Sequence, residues 1–301
     1  MCSGITLRLF GSLIIERSNF RGHPITYAAE IKVTDAAPLT PRAKGALDLV
    51  AKRREADTVI SDLRQEGSLK ALFPRVRGTA LDAVFLNTAG GLTGGDHMRF
   101  DVSAEHDAHI VLSSQAAERA YRAHPGQIAR SEVTLDVASG GRIDWLPQET
   151  ILYDNAALDR RMNVQLASDA TALIVEPIIF GRVAMGEVVR TVHFTDHWRV
   201  WRDGRLVFAD AVRLIGDGQA QMARVAIAGG AGAMATVLLA GAQAEALARS
   251  LTLPETSGAS LIADDLLLVR LLAEDGFALR RQLIPVVEAL SAAPIPRVWR
   301  Q

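Results

Sequence analysis

From residue 78 onward the chain is built from short runs in which apolar side chains fall at every second position, each run closed by Gly, Asp, Asn or Ser. A period of two puts alternate side chains on opposite faces of a strand, so these runs cannot settle as helices. In "SEVTLDVASGGRIDWLPQ", Val133, Leu135 and Val137 alternate, Ser139-Gly140-Gly141 turns, and Ile143 and Trp145 resume. "MNVQLASDATALIVEPIIFG" repeats the theme with Asp169-Ala170 in the turn. "WRVWRDGRLVFADAVRL" is the clearest case, because Asp203-Gly204 joins two alternating runs and Asp-Gly suits a two-residue hairpin turn. Each of the three stretches reads as a hairpin. No helical segments intervene, as βαβ units would need. The expectation is a mainly β fold, largely antiparallel, with stacked-hairpin or solenoid-like sheets.

The ends of the chain differ from this middle. Residues 1–44 read as an N-terminal arm compatible with disorder, closed by the Pro-containing linker "TDAAPLTPRAKG". Residues 45–301 then form a single β-rich domain. Within it, residues 45–66 are expected to be helical, from the spacing of Leu47, Val50, Ala51 and Arg54. A small helical portion is expected near 242–251 and 277–293. In the second segment Leu279, Leu283, Val286, Val287 and Leu290 share one stripe, and Pro285 is expected to kink or restart the helix. Between the two, "GASLIADDLLLVRLLAEDG" reads as two strands across Asp264-Asp265, and the tail "PIPRVWRQ" as a docking segment.

Composition narrows the function classes. A formal net charge of −1 provides no electrostatic footprint for nucleic acid or an acidic membrane. The one cysteine, Cys2, excludes a disulfide framework and a cysteine-rich zinc site and suits a reducing cytoplasm. Val225–Ala244 carries no charge and is long enough to span a bilayer, but Ala and Gly dominate it. A buried strand with a small-residue turn is the expectation there.

"FLNTAGGLTGGDHMRF" (residues 85–100) carries Gly90, Gly91, Gly94, Gly95 and Asp96. It is not a phosphate loop, because Asp96 stands where such a loop places its Lys. Glycines in close backbone packing are the simpler reading, with a metal-handling or partner-contacting turn as the other. His106 with His109, and His193 with His197, have spacings that could share a metal, but neither pair has the Glu of a zinc-protease motif, and surface or structural roles are expected. No G-x-S-x-G nucleophile motif occurs. Carboxylates in apolar surroundings are more informative: Asp96, Glu149 and Asp154 around "TILY", and Glu176 inside "LIVEPIIFG". A buried carboxylate must be paired or must meet a cation. Glu176 therefore reads either as an ion pair with an arginine such as Arg182 or Arg190, or as a carboxylate lining a polar channel.

Five segments in order, "NTAGGLTGGD", "SSQAAERAYR", "DWLPQETILYDNAALDRRM", "EPIIFGRVAMGE" and "PRVWR", together resemble the urease accessory protein D family, UreD (called UreH in some bacteria). The resemblance covers about residues 70–301. It implies a non-enzymatic maturation factor that binds apo-urease and UreF and, with the GTPase UreG, delivers nickel to urease. It implies a β-rich fold with a helical portion, no tightly bound cofactor, and transient Ni2+. On that reading Asp96, Glu149 and Glu176 are the candidate groups for nickel transit. Two other readings stay open: a β-rich enzyme whose pocket is built from the same three residues, and an interaction protein with no metal role.

Overall fold

A computed structural model of the chain describes residues 14–18, 24–28, 41–75, 78–182 and 185–300. They fall into two compact units, Met1–Pro41 and Arg42–Gln301. The first contains the antiparallel pair β1 (Ile14–Ser18) and β2 (Pro24–Ala28). The rest of the expected arm up to residue 40, Cys2 included, lies outside the described residues.

The second unit begins with a hairpin, β3 (Lys44–Arg54) and β4 (Asp57–Gly67), in place of the expected helix. The reason is visible along β3. Leu47, Leu49 and Ala51 are buried at every second position, with Asp48 and Lys52 on the other face. That period of two overrides the coincidental helical spacing. Glu55 has a positive φ of 57° in the tight turn that follows.

The chain continues through β5 (Leu69–Leu72) and β6 (Leu81–Asn87) and then winds in coils. One coil is β7 (His97–Ala104), β8 (His109–Ser114) and β9 (Glu118–Ala120). The next is β10 (Ala129–Val137), β11 (Arg142–Leu146) and β12 (Thr150–Leu152). A third runs through β13 (Ala156–Leu166) and β14 (Thr171–Phe180). Then come β15 (Val192–Arg202) and β16 (Arg205–Gly216), followed by α1 (Gly218–Met222) and β17 (Ala233–Ala240). The chain closes with α2 (Ala244–Ser250), β18 (Gly258–Ala263), β19 (Leu266–Ala273) and α3 (Gly276–Leu290). Two sheets result: seven strands in the order β16-β15-β13-β10-β7-β3-β4, and ten strands along β18-β19-β17-β14-β11-β8-β6-β5, with β9 and β12 beside that path.

The mainly β, solenoid-like expectation stands, with one correction. Successive coils pair in parallel (β10 with β7 and β13, β11 with β8 and β14), and antiparallel ladders cap the two sheets. Two of the three expected hairpins are corners instead: β10 and β11 belong to different sheets, as do β13 and β14. The corners stack on one another. Gly140 N and Ser139 Oγ donate to the Asp169 carboxylate at 3.1 and 3.0 Å. The Asp203-Gly204 hairpin forms as expected, with positive φ at both residues (47° and 74°), as its turn type requires. Strands β18 and β19 also pair antiparallel across Asp264-Asp265.

Parallel register aligns inward side chains into rows. Leu49, Val102, Leu135, Val164 and Val200 form one row across five strands, and Leu47, Phe100, Val133, Met162 and Trp198 form the next. These rows fill the space between the sheets. A second core lies on the other face of the ten-stranded sheet, under α3. The apolar stripe expected on α3 is the buried one: Leu279, Leu283, Val286, Val287 and Leu290. Pro285 lies inside the helix on its exposed side, and the helix continues through it. The uncharged stretch 225–244 supplies β17, flanked by antiparallel partners β14 and β19 after a glycine turn. No helix among the described residues is long and apolar enough to cross a membrane. The tail docks on its own chain: Trp299 is fully buried and its indole N–H donates to Leu146 O at 2.9 Å.

Removing that anchor empties part of the second core. Trp299→Ala should cost about 3–5 kcal/mol, seen as a lower urea midpoint. Phe277→Ala, at a position 72% exposed, should stay within about 0.5 kcal/mol of wild type.

Candidate functional site

The glycine turn links β6 to β7, and most of its chemistry holds the backbone. Asn87 Oδ1 accepts from Ala89 N at 3.0 Å. A Cβ on Gly91, whose φ is +151°, would sit 2.3 Å from a Tyr121 ring carbon, and one on Gly94 would sit 2.5 Å from Gln127 O. Both positions admit no side chain because of close approach. Asp96 is buried and fully engaged: Oδ1 accepts from Ala43 N at 2.8 Å and Oδ2 from Thr93 N at 2.7 Å. The turn is therefore a packed corner that ties the start of β3 to β7.

Beside it opens a cavity of about 300 Å³ between the two sheets. Exposed lining residues, Gly90 and Arg119 among them, mark its mouth, and its walls include Phe85, Phe100 and Trp145. These three rings pack with centroids 4.9–5.4 Å apart. Strand parity places charge at its inner end. Along β13, Leu158, Arg160, Met162 and Val164 share the inward face, and along β15 so do Phe194, Asp196 and Trp198. Arg160 and Asp196 are register partners on adjacent strands. Glu176 reaches them from β14 in the opposite sheet.

Every carboxylate oxygen of this group has a donor. Glu176 Oε2 accepts from Arg160 Nη1 at 2.5 Å, and Oε1 accepts from the Trp145 indole at 2.8 Å. Asp196 Oδ2 accepts from Arg160 Nη2, and Oδ1 from the Trp198 indole at 3.1 Å. Arg160 Nη1 also donates to Thr150 Oγ1 at 3.2 Å, and the guanidinium lies over the Phe194 ring at 5.3 Å. Burial pushes the Glu176 carboxyl up; the attraction of Arg160 works against this and the like charge of Asp196 adds to it. Burial opposes the charge on Arg160 too, but Asp196 and Glu176 outweigh it and hold the guanidinium protonated. A second carboxyl in the wall, Glu118, is also pushed up by burial, against hydrogen bonds from Arg119 N and the Asn87 amide.

Of the three carboxylates singled out from the sequence, only Glu176 lines this cavity. Glu149 faces a surface cleft beside α3 and pairs with Arg280 Nη1 at 3.1 Å. Arg280 also donates to Gln148 Oε1 at 2.7 Å and Val298 O at 2.9 Å. Gln115, Ala117 and Gln148 are walls common to cavity and cleft. Asp96 belongs to the turn, so one pocket built from all three does not form. Asp154 holds backbone, accepting from Arg190 N and Thr191 N at 2.8 and 2.9 Å. The ion-pair partner of Glu176 is Arg160, not Arg182 or Arg190; Arg182 pairs with Glu187. The paired histidines do not converge. His106 meets Asp107, His109 meets Asp144, His193 meets Asp159, and His197 is exposed. No group of three or more His, Cys, Asp or Glu able to hold a metal occurs among the described residues.

Arg160, Asp196 and Glu118 do not stand out in the sequence reading. A signal for the first two is nevertheless present: a charged residue at the inward parity of an otherwise apolar alternation.

Two outcomes follow from this geometry. Gly94→Val forces a side chain into Gln127 and should cost about 3 kcal/mol or more, read as loss of soluble folded protein before any binding defect. For Glu176, a folded-state pKa raised above the unfolded value means that its stabilisation is present below the unfolded pKa and is lost as pH rises through the folded one. The wild-type minus Glu176→Gln difference in Tm should therefore fall as pH is raised from about 4.5. A difference that grows with pH would contradict the assigned direction.

Residues 43–300 match the family model described as UreD urease accessory protein. A urease accessory protein UreD of Ruegeria pomeroyi is 46% identical over 255 residues, covering 84% of this chain and 99% of the relative. One from Rhizobium leguminosarum bv. viciae is 46% identical over 270 residues, covering 88% and 98%. Urease accessory protein UreD 3 of a Bradyrhizobium strain is 41% identical over 282 residues, covering 93% and 99%. With a family match running from the start of β3 to the docked tail, the chain belongs to the UreD urease accessory protein family.

Proposed function

We propose that this chain is a non-catalytic scaffold and nickel conduit for urease maturation, acting in the cytoplasm with UreF and the GTPase UreG on apo-urease. The partners and the division of labour come from the family resemblance, in which the GTP chemistry belongs to UreG. The observation that carries the conduit reading is the cavity between the sheets. It brings Glu118 and Glu176 into one wall and adjoins the Glu149 cleft through Gln115 and Gln148. Carboxylates met one after another can pass Ni2+ along because they hold it more weakly than the imidazole it favours. Delivery requires weak contacts in series, since a tight site would retain the ion. Asp96 serves this route indirectly, by holding the turn at the cavity mouth.

The test is co-expression with urease and the other accessory proteins. Glu176→Gln and Glu118→Gln keep the shape of the wall and remove a charge. Each should leave complex yield unchanged and lower nickel per urease site by roughly tenfold. Full nickel loading by both variants, in complexes of normal yield, would remove the cavity from the route. A measurable turnover by the isolated chain, in a substrate screen, would favour an enzyme instead.

A further inference from the structure

The two carboxylates at the inner end of the cavity are held from opposite sides in different ways. Their outer oxygens, Glu176 Oε1 and Asp196 Oδ1, are fixed by the Trp145 and Trp198 indoles. Their inner oxygens, Glu176 Oε2 and Asp196 Oδ2, both meet the guanidinium of Arg160, as does Thr150 Oγ1. Three oxygens from β14, β15 and β12 thus converge on one positive group. Two carboxyl groups face one guanidinium. Arg160 Nε is buried without a hydrogen-bond partner, so the guanidinium is held through its two Nη atoms alone. The cavity beside it, about 300 Å³, is large enough to take the displaced guanidinium.

We propose that Arg160 is a tethered stand-in for a divalent cation. Its guanidinium occupies the place between Glu176 Oε2, Asp196 Oδ2 and Thr150 Oγ1 that a hydrated divalent cation takes when the arginine swings into the cavity. The indoles keep both carboxylates aimed at the vacated place, so the oxygen set persists without Arg160. An all-oxygen set of two carboxylates and a hydroxyl, completed by water, suits hard or borderline divalent ions and lacks the imidazole or thiolate that would hold Ni2+ tightly. In the resting chain the arginine and the ion compete for the same oxygens, which keeps resting affinity low. A partner that draws Arg160 away would open the site. The identity of the ion as nickel rests on the proposed function; the competition itself does not.

The test uses the purified full-length chain and Ni2+ alone, titrated against a metallochromic indicator, with Mg2+ as a harder comparison ion. Arg160→Met should bind one Ni2+ about tenfold or more tighter than wild type, because an uncompensated carboxylate pair is left facing the cavity. Arg160→Met/Glu176→Gln should return to wild-type affinity. Arg160→Lys keeps a charge but loses the two-pronged fork, so it should fall between wild type and Arg160→Met. It decides the matter if the Met variant does not fold. No tightening in whichever of the two variants is folded by circular dichroism overturns the proposal, and so does a gain that survives Glu176→Gln. The readout involves no urease. Full nickel loading of urease by both Glu176→Gln and Glu118→Gln would sink the conduit reading and leave this result standing, and the reverse also holds.

Discussion

In-register parallel pairing of β3, β7, β10, β13 and β15 is the constraint on which the rest of this structure depends. Parallel strands one coil apart place like positions directly over one another, so each inward residue has a neighbour from the previous coil. Two adjacent rows are apolar along their length and supply the core between the sheets. The row beside them runs Gly45, Met98, Ser131, Arg160 and Asp196. It starts small and apolar and ends charged. The cavity lies where this row stops filling space, and the ion group lies where it turns polar. Fold and site are two consequences of one register.

Charge at such a place is costly unless every polar atom is met. The structure meets all four carboxylate oxygens with two indoles and one guanidinium spread over both sheets, and leaves Arg160 Nε as the one atom of the group without a partner. Trp145 serves both sides of this arrangement. Its ring stacks on Phe85 and meets Phe100 edge to face in the cavity wall, and its N–H holds Glu176. A second polar junction, around Arg280, joins α3, the Gln148-Glu149 segment and the tail at the far side of the same wall. One ion group thus lines the cavity and another lines the neighbouring cleft, with Gln148 lining both.

Much of the architecture is legible in the sequence because local chemistry and global role agree. Asp203-Gly204 is a hairpin turn in both, and the α3 stripe is a buried stripe in both. The corners at Ser139-Gly141 and Asp169-Ala170 are not legible, because the same turn residues serve a reversal within one sheet and a step to another. Which of these occurs is decided by strands one coil away. The 45–66 segment misleads because Leu47, Val50 and Ala51 also fit a helical period. For the site, burial of Glu176 can be read from its apolar flanks, but its partner cannot be found by proximity along the chain. Arg182 and Arg190 are near in sequence; Arg160 is near in space, through parity and inter-sheet contact. Asp96 and Glu149 are carboxylates under constraint, and their constraints are a backbone turn and an arginine on α3.

The alternation of faces along β13 and β15 also governs how such a chain can change length. One residue gained or lost within β15 would turn Asp196 outward, bring a neighbour such as His197 into the core, and break the ion group and the apolar rows at once. Stacked corners face no such parity: a residue added at Ser168-Asp169 lengthens a loop and leaves both flanking strands in phase. Insertions and deletions among descendants of this sequence are thereby channelled into the corners. The strand interiors behave as a fixed-length frame whose reading phase is set once for all coils.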